Sequence, residues 1–90
     1  MAVVGIIVKI MPDSPDTDLK EIKEEAKTRL EKEGAMNLSF EEKPIAFGLI
    51  AVMLKFAWKE EKDTSIIESA LSTIPNVSSA VIEDYRRAFG

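Results

Sequence analysis

Ten consecutive residues, Leu49-Ile50-Ala51-Val52-Met53-Leu54-Lys55-Phe56-Ala57-Trp58, constrain this chain more than any other segment. The run is apolar for so long that it is expected to be a central strand, and its even positions, Ile50, Val52, Leu54, Phe56 and Trp58, are all bulky. A second segment shares the period. Ala2, Val4, Ile6, Val8 and Ile10 form an unbroken apolar face, which predicts another strand with that face on the core.

The segments between and after these strands read by their own periods. Met11-Pro12-Asp13-Ser14-Pro15-Asp16 breaks the first strand, because two prolines and short polar side chains favour turns over ladders. Leu19, Ile22, Ala26 and Leu30 then recur at three- and four-residue steps through Lys and Glu, predicting an amphipathic helix that ends at Gly34. Asp18 and Glu21 are spaced as an Asp variant of a capping box, and Glu25 to Arg29 is a supportive pair one turn apart. Met36, Leu38 and Phe40 alternate with Asn37, Ser39 and Glu41 as in a half-buried edge strand. After the long strand, the charged turn Lys59–Asp63 leads into a second helical stripe, Ile66, Ile67, Ala70, Leu71 and Ile74, stopped by Pro75. Thr64 or Ser65 is expected to cap it, with Glu68 answering Ser65. Val77 to Tyr85 reads as a last strand, and Arg86-Arg87-Ala88-Phe89-Gly90 as a short tail.

The order is β-α-β-β-α-β. Two β-α-β halves with right-handed crossovers leave few arrangements besides the α+β ferredoxin-like sandwich, a four-stranded antiparallel sheet with both helices on one face. Strands one and three are then central, strands two and four lie at the edges, and the bulky even positions face the helices. The odd positions, Val3, Gly5, Ile7, Lys9, Met11, Leu49, Ala51, Met53, Lys55 and Ala57, line an open face.

Ninety residues with 46% hydrophobic content make one compact domain, residues 1–90, too small for two cores. Twelve basic against 16 acidic side chains, a net charge of -4, lack the footprint of a phosphate-backbone binder. Cysteine and histidine are both absent, so thiolate chemistry, disulfides, imidazole acid–base catalysis and His or Cys metal ligands are excluded together. Asp13, Asp16 and Asp18 lack calcium-loop spacing and read as turn and cap residues. The first ten residues read as a strand and not a signal peptide, and no apolar run reaches the roughly 20 residues that cross a bilayer, so a soluble protein is expected.

Two features point outward. The open face is largely apolar with two lysines, Lys9 and Lys55, which fits either a partner or self-association surface or an ordinary tolerated sheet face. Its central odd positions carry no aromatic for base stacking, which argues against single-stranded RNA. Phe47, between Pro44 and Gly48, reads either as a partner contact or as a plug for the end of the core.

The segment Val8-Lys9-Ile10-Met11-Pro12-Asp13-Ser14-Pro15-Asp16-Thr17-Asp18-Leu19, followed by Pro44-Ile45-Ala46-Phe47-Gly48-Leu49, resembles the archaeal elongation factor 1-beta family of translation factors. The second motif occurs, as Pro-Ile-Gly-Phe-Gly, in the catalytic C-terminal domain of the eukaryotic counterpart, and the similarity covers essentially the whole chain. The resemblance implies the same ferredoxin-like fold and a guanine-nucleotide exchange factor. Its partner would be GDP-bound elongation factor 1-alpha, the GTPase that delivers aminoacyl-tRNA to the ribosome. It further implies a cytoplasmic protein with no cofactor, no metal of its own, no membrane and no direct nucleic-acid partner. Phe47, flanked by Ile45 and Gly48, corresponds to the loop aromatic that eukaryotic members wedge into the GTPase, and the face bearing Lys9 and Lys55 is expected to add contacts. Eukaryotic members end with a penultimate lysine directed at the Mg²⁺ site, and no lysine matches it here. Arg86 or Arg87 is either its replacement or simply the basic end of a strand. The runner-up is a ferredoxin-like regulatory or RNA-binding module. An acylphosphatase-like enzyme comes third, because Asp13, Ser14 and Asp16 occupy the loop where such an enzyme needs an arginine.

Overall fold

Residues 2–87 are described by a computed structural model. The elements are β1 (Val3–Pro12), α1 (Leu19–Lys32), β2 (Met36–Pro44), β3 (Ile50–Lys59), α2 (Ser65–Ser72) and β4 (Val77–Arg87). They form one four-stranded sheet in the order β2-β3-β1-β4, with every neighbouring pair antiparallel. This is the expected ferredoxin-like α+β sandwich, with β1 and β3 central.

The bulky even positions decide which face is covered. Val4, Ile6, Val8 and Ile10 of β1 and Val52, Leu54, Phe56 and Trp58 of β3 are buried in one core cluster with Ile22, Ala26 and Leu30 of α1 and Ile67 and Leu71 of α2. Both helices therefore lie against the same face. The core contains no buried polar or charged side chain among the described residues, so its stabilisation comes from apolar burial, at roughly 25 cal/mol per Å².

Helix ends follow local chemistry. At the start of α1 the Asp18 carboxylate accepts the Lys20 amide at 3.0 Å. At its end, the Gly34 amide donates to Glu31 at 3.1 Å and the Ala35 amide to Leu30 at 2.9 Å, a Schellman closure made possible by Gly34 at φ +98°. At α2 the cap differs from expectation. Thr64 makes no side-chain capping bond, and the Asp63 carboxylate accepts the Ser65 amide at 2.9 Å instead. Hydrogen bonds from the Ser65 backbone and then its side chain hold the Asp63 carboxyl below its ordinary value. The Glu68 carboxylate reaches away from the helix start, toward the Ile82 amide of β4 at 3.5 Å.

The edge strands depart from strict alternation. Met36 pairs with Ala57 but Ser39 pairs with Lys55, so two residues, Asn37 and Leu38, oppose Phe56 alone. Asn37 takes up the extra residue at φ +56°. Leu38 and Phe40 pack on the core, whereas Met36 turns to the open face and is exposed, which corrects the single face expected for all three. In β4 the register skips Glu83 between Ile82 and Asp84, and the strand runs on through Arg87. Arg86 and Arg87 are thus paired strand residues, opposite Gly5 and Val4, and not the start of a tail. Met1 and the expected tail residues Ala88, Phe89 and Gly90 lie outside the described residues.

Candidate functional site at the β2–β3 turn and the open face

Phe47 occupies a tight turn between β2 and β3. The Leu49 amide donates to the Ala46 carbonyl at 3.0 Å, and the Ile45 amide donates to the Leu49 carbonyl at 2.9 Å. Both central residues of the Ala46–Leu49 turn have positive φ, +55° for Phe47 and +79° for Gly48, the signature of a type I′ turn. Glycine adopts this backbone freely. For phenylalanine it costs on the order of 1–2 kcal/mol, and such positions normally go to Asn, Asp or Gly.

The side chain recovers none of that cost within the chain, because Phe47 is 95% exposed. It does not plug the core. A strained backbone that displays a bare aromatic is the reverse of what stability alone favours, and strain of this kind concentrates at functional sites. Ile45 beside it is also an exposed large apolar residue, and Gly48 completes the turn.

Of the remaining candidates, Lys9, Lys55 and Arg86 register on the open face, while Arg87 stands opposite the core-facing Val4. By register, Lys9 lies opposite Met53 and Val81, and Lys55 opposite Ile7 and Ser39. Lys55 and Arg86 border a shallow depression over Gly5 and Ile7, with Asp84 and Arg87. Arg86 pairs with Asp84 at 2.8 Å and Arg87 with Glu60 at 2.8 Å, both with well-exposed guanidinium groups. Ala51 is an exception on this face, being fully buried although outside the core cluster.

The structure separates these residues into two groups. Ile45, Phe47 and Gly48 lie at the end of the sheet where β1 finishes, since Ile10 pairs with Val52 and Pro44 with Ile50, while Arg86 and Arg87 lie where β1 begins. Eight residue steps along β1 separate the Pro12–Val77 and Val4–Arg87 pairings, about 26 Å at the usual strand rise. Lys9 and Lys55 stand on the face between.

Sequence reasoning missed how charge is divided between the two faces. Of the 12 basic and 16 acidic side chains, five basic (Lys9, Lys43, Lys55, Lys59 and Arg86) and two acidic (Glu41 and Asp84) register on the open face. Seven basic and fourteen acidic remain for the rest of the molecule. An acidic protein therefore presents a basic, partly apolar sheet face. The signal was in the edge strands, whose facing depends on the bulges. No group of three or more His, Cys, Asp or Glu suited to a metal is found among the described residues.

Comparison with known proteins adds a family. Residues 5–88 match the family described as the EF-1 guanine nucleotide exchange domain. Among similar proteins, elongation factor 1-beta of Methanothermobacter thermautotrophicus is 40% identical over 81 residues, 89% of this chain and 90% of that protein. Elongation factor 1-beta of Methanobrevibacter smithii is 39% identical, over 97% of this chain and 98% of that protein. That of Methanocella arvoryzae is 40% identical, over 99% of this chain and 100% of that protein.

Proposed function

The chain belongs to the EF-1 guanine nucleotide exchange domain family, and on that premise we propose that it promotes replacement of GDP by GTP on elongation factor 1-alpha. In this reading residues 1–90 act as one exchange domain. It meets the GDP-bound GTPase in the cytoplasm and uses no cofactor, membrane or nucleic acid.

The observation that carries the reading is Phe47: a strained, fully displayed aromatic with no packing role in its own fold. Nucleotide affinity in a GTPase rests on Mg²⁺ and on loops that cradle the phosphates. A partner that binds the distorted form of those loops more tightly than the closed form raises the GDP release rate, with no bond made or broken. Phe47 is the proposed wedge, with Ile45 and Gly48 shaping its base. Lys9 and Lys55, and beyond them Arg86 and Arg87, are proposed as further contacts. A GTPase that reached from Phe47 to Arg86 along the open face would span about 26 Å and pass over both lysines.

The test is release of labelled GDP from the cognate elongation factor 1-alpha. Catalytic amounts of this protein are expected to accelerate release, and an unchanged rate overturns the reading. The RNA-binding alternative draws on the basic open face. It predicts binding to single-stranded RNA that weakens steeply between about 50 and 200 mM salt, with no effect on GDP release.

A further inference from the structure

The direction in which Phe47 points is set by backbone alone, because a side chain that is 95% exposed has no packing to aim it. Left-handed backbone at a non-glycine residue persists only where the surroundings over-determine it. Whatever holds the turn therefore also aims the aromatic.

The turn has two kinds of restraint. One is its own pair of hydrogen bonds, from Leu49 to Ala46 and from Ile45 to Leu49. The other comes from a different loop. A Cβ built on Gly48 would stand 3.5 Å from Pro15 Cβ and 3.6 Å from Pro15 Cγ, so the proline ring borders the turn at the residue after Phe47, within van der Waals reach of the space a side chain there would fill. Pro15 is well fixed for this purpose. It follows Ser14 in a turn where the Thr17 amide donates to the Ser14 carbonyl at 3.2 Å and the Ser14 amide donates to Thr17 Oγ1 at 3.3 Å. Proline at this position has its φ preset. The loop is anchored at its start by the Asp13 amide, which donates to the Asn76 carbonyl at 2.9 Å across to the α2–β4 connection. Pro15 is exposed, so this approach is not a by-product of core packing.

We propose that Pro15 is a positioning residue for Phe47: its ring buttresses Gly48 and keeps the Ala46–Leu49 turn in the left-handed form that presents the aromatic. The proposal rests on the reading of Phe47 as the partner contact. It joins the two segments that frame the molecule's end, Met11–Asp16 and Pro44–Leu49, into one device. Removing the ring lets the turn relax toward conformers that suit phenylalanine better, so the competent form is less populated. Apparent affinity for the partner then falls by the lost fraction, while the rate at saturation does not.

The experiment uses the full chain with Pro15→Ala, Phe47→Ala and the double variant. Pro15→Ala is expected to raise the concentration for half-maximal GDP release from elongation factor 1-alpha by about three- to tenfold, with the maximal rate unchanged and the melting temperature lowered by only a few degrees, as for any turn proline with its φ preset. The double variant should be no worse than Phe47→Ala alone, since Pro15 acts only through the aromatic. In the free protein, amide hydrogen exchange at Leu49 should quicken several-fold in Pro15→Ala while Leu54, in the core strand, stays protected. Additive effects of the two substitutions, or unchanged Leu49 exchange, overturn the proposal. If Phe47→Ala leaves exchange activity intact, the reading of Phe47 as the contact fails, and the Leu49 measurement still judges whether Pro15 holds the turn.

Discussion

Trp58 and Phe47 bracket the same strand and meet opposite fates. Trp58 is fully buried, its indole Nε1 donates to the Lys62 carbonyl at 3.2 Å, and Phe56 meets it edge-on at 6.0 Å. Lys62 lies over its ring at 4.9 Å while its Nζ donates to the Glu33 carbonyl, tying the end of α1 to the β3–α2 connection. Every part of that indole is used by the fold. Phe47, at the other end of β3, touches nothing comparable and is held in backbone geometry that its side chain disfavours. One end of the strand is organised for stability and the other for display. Aromatic residues are read correctly only when their neighbours in space are known.

The contrast breaks most easily at Trp58. Trp58→Ala should cost about 3–5 kcal/mol in urea denaturation, and a loss below about 1 kcal/mol would mean that this end of the core is not the anchor described. Phe47→Ala should do the opposite, leaving stability within about 0.5 kcal/mol while stimulated GDP release falls about tenfold, equivalent to about 1.4 kcal/mol. Full activity in a folded Phe47→Ala protein removes the aromatic from the mechanism. Phe47→Gly sharpens the point further, since it relieves the left-handed backbone. It should raise stability by about 0.5–1 kcal/mol while lowering exchange as Phe47→Ala does.

Smaller effects are expected away from both aromatics. The Arg86→Ala/Arg87→Ala pair should change stability by less than about 1 kcal/mol, because both ion pairs are exposed. A loss of GDP release as large as that of Phe47→Ala would place the GTPase across the whole open face, and no loss would confine it to the Phe47 end. The smallest effect concerns Asp63. Its carboxyl is held below its ordinary value in the folded chain, so its contribution is present above the unfolded aspartate value near 3.9 and is lost as pH falls through the folded one. The melting temperature of Asp63→Asn is therefore expected to fall less than that of the parent between about pH 5 and pH 2, and identical acid profiles would refute the capping role.

Much of the site was legible in the residues themselves. Pro44 and Gly48 marked the turn, the apolar run after it marked a central strand, and together they left Phe47 at a strand mouth. Its left-handed backbone was not legible, because phenylalanine at the first central position of a type I′ turn runs against local preference. Nor was the capping of α2 by Asp63, since Thr64 and Ser65 were equally good local candidates and only the helix's actual start chooses among the three.

What the sequence determined by itself was everything that depends on period: the order of elements, the faces of β1 and β3, the apolar stripes of α1 and α2, and hence the ferredoxin-like sandwich. Side-chain alternation and helical spacing are local properties, and they survive in a one-dimensional reading. Only the tertiary structure decided the rest. The bulges at Asn37 and Glu83 turned Met36 outward and set which charges share the open face. Strand pairing carried Arg86 and Arg87 to the far end from Phe47, and folding brought Pro15 against Gly48 and Lys62 onto Trp58. Each joins groups through strand register or loop approach, and neither leaves a periodic trace in the residues it brings together.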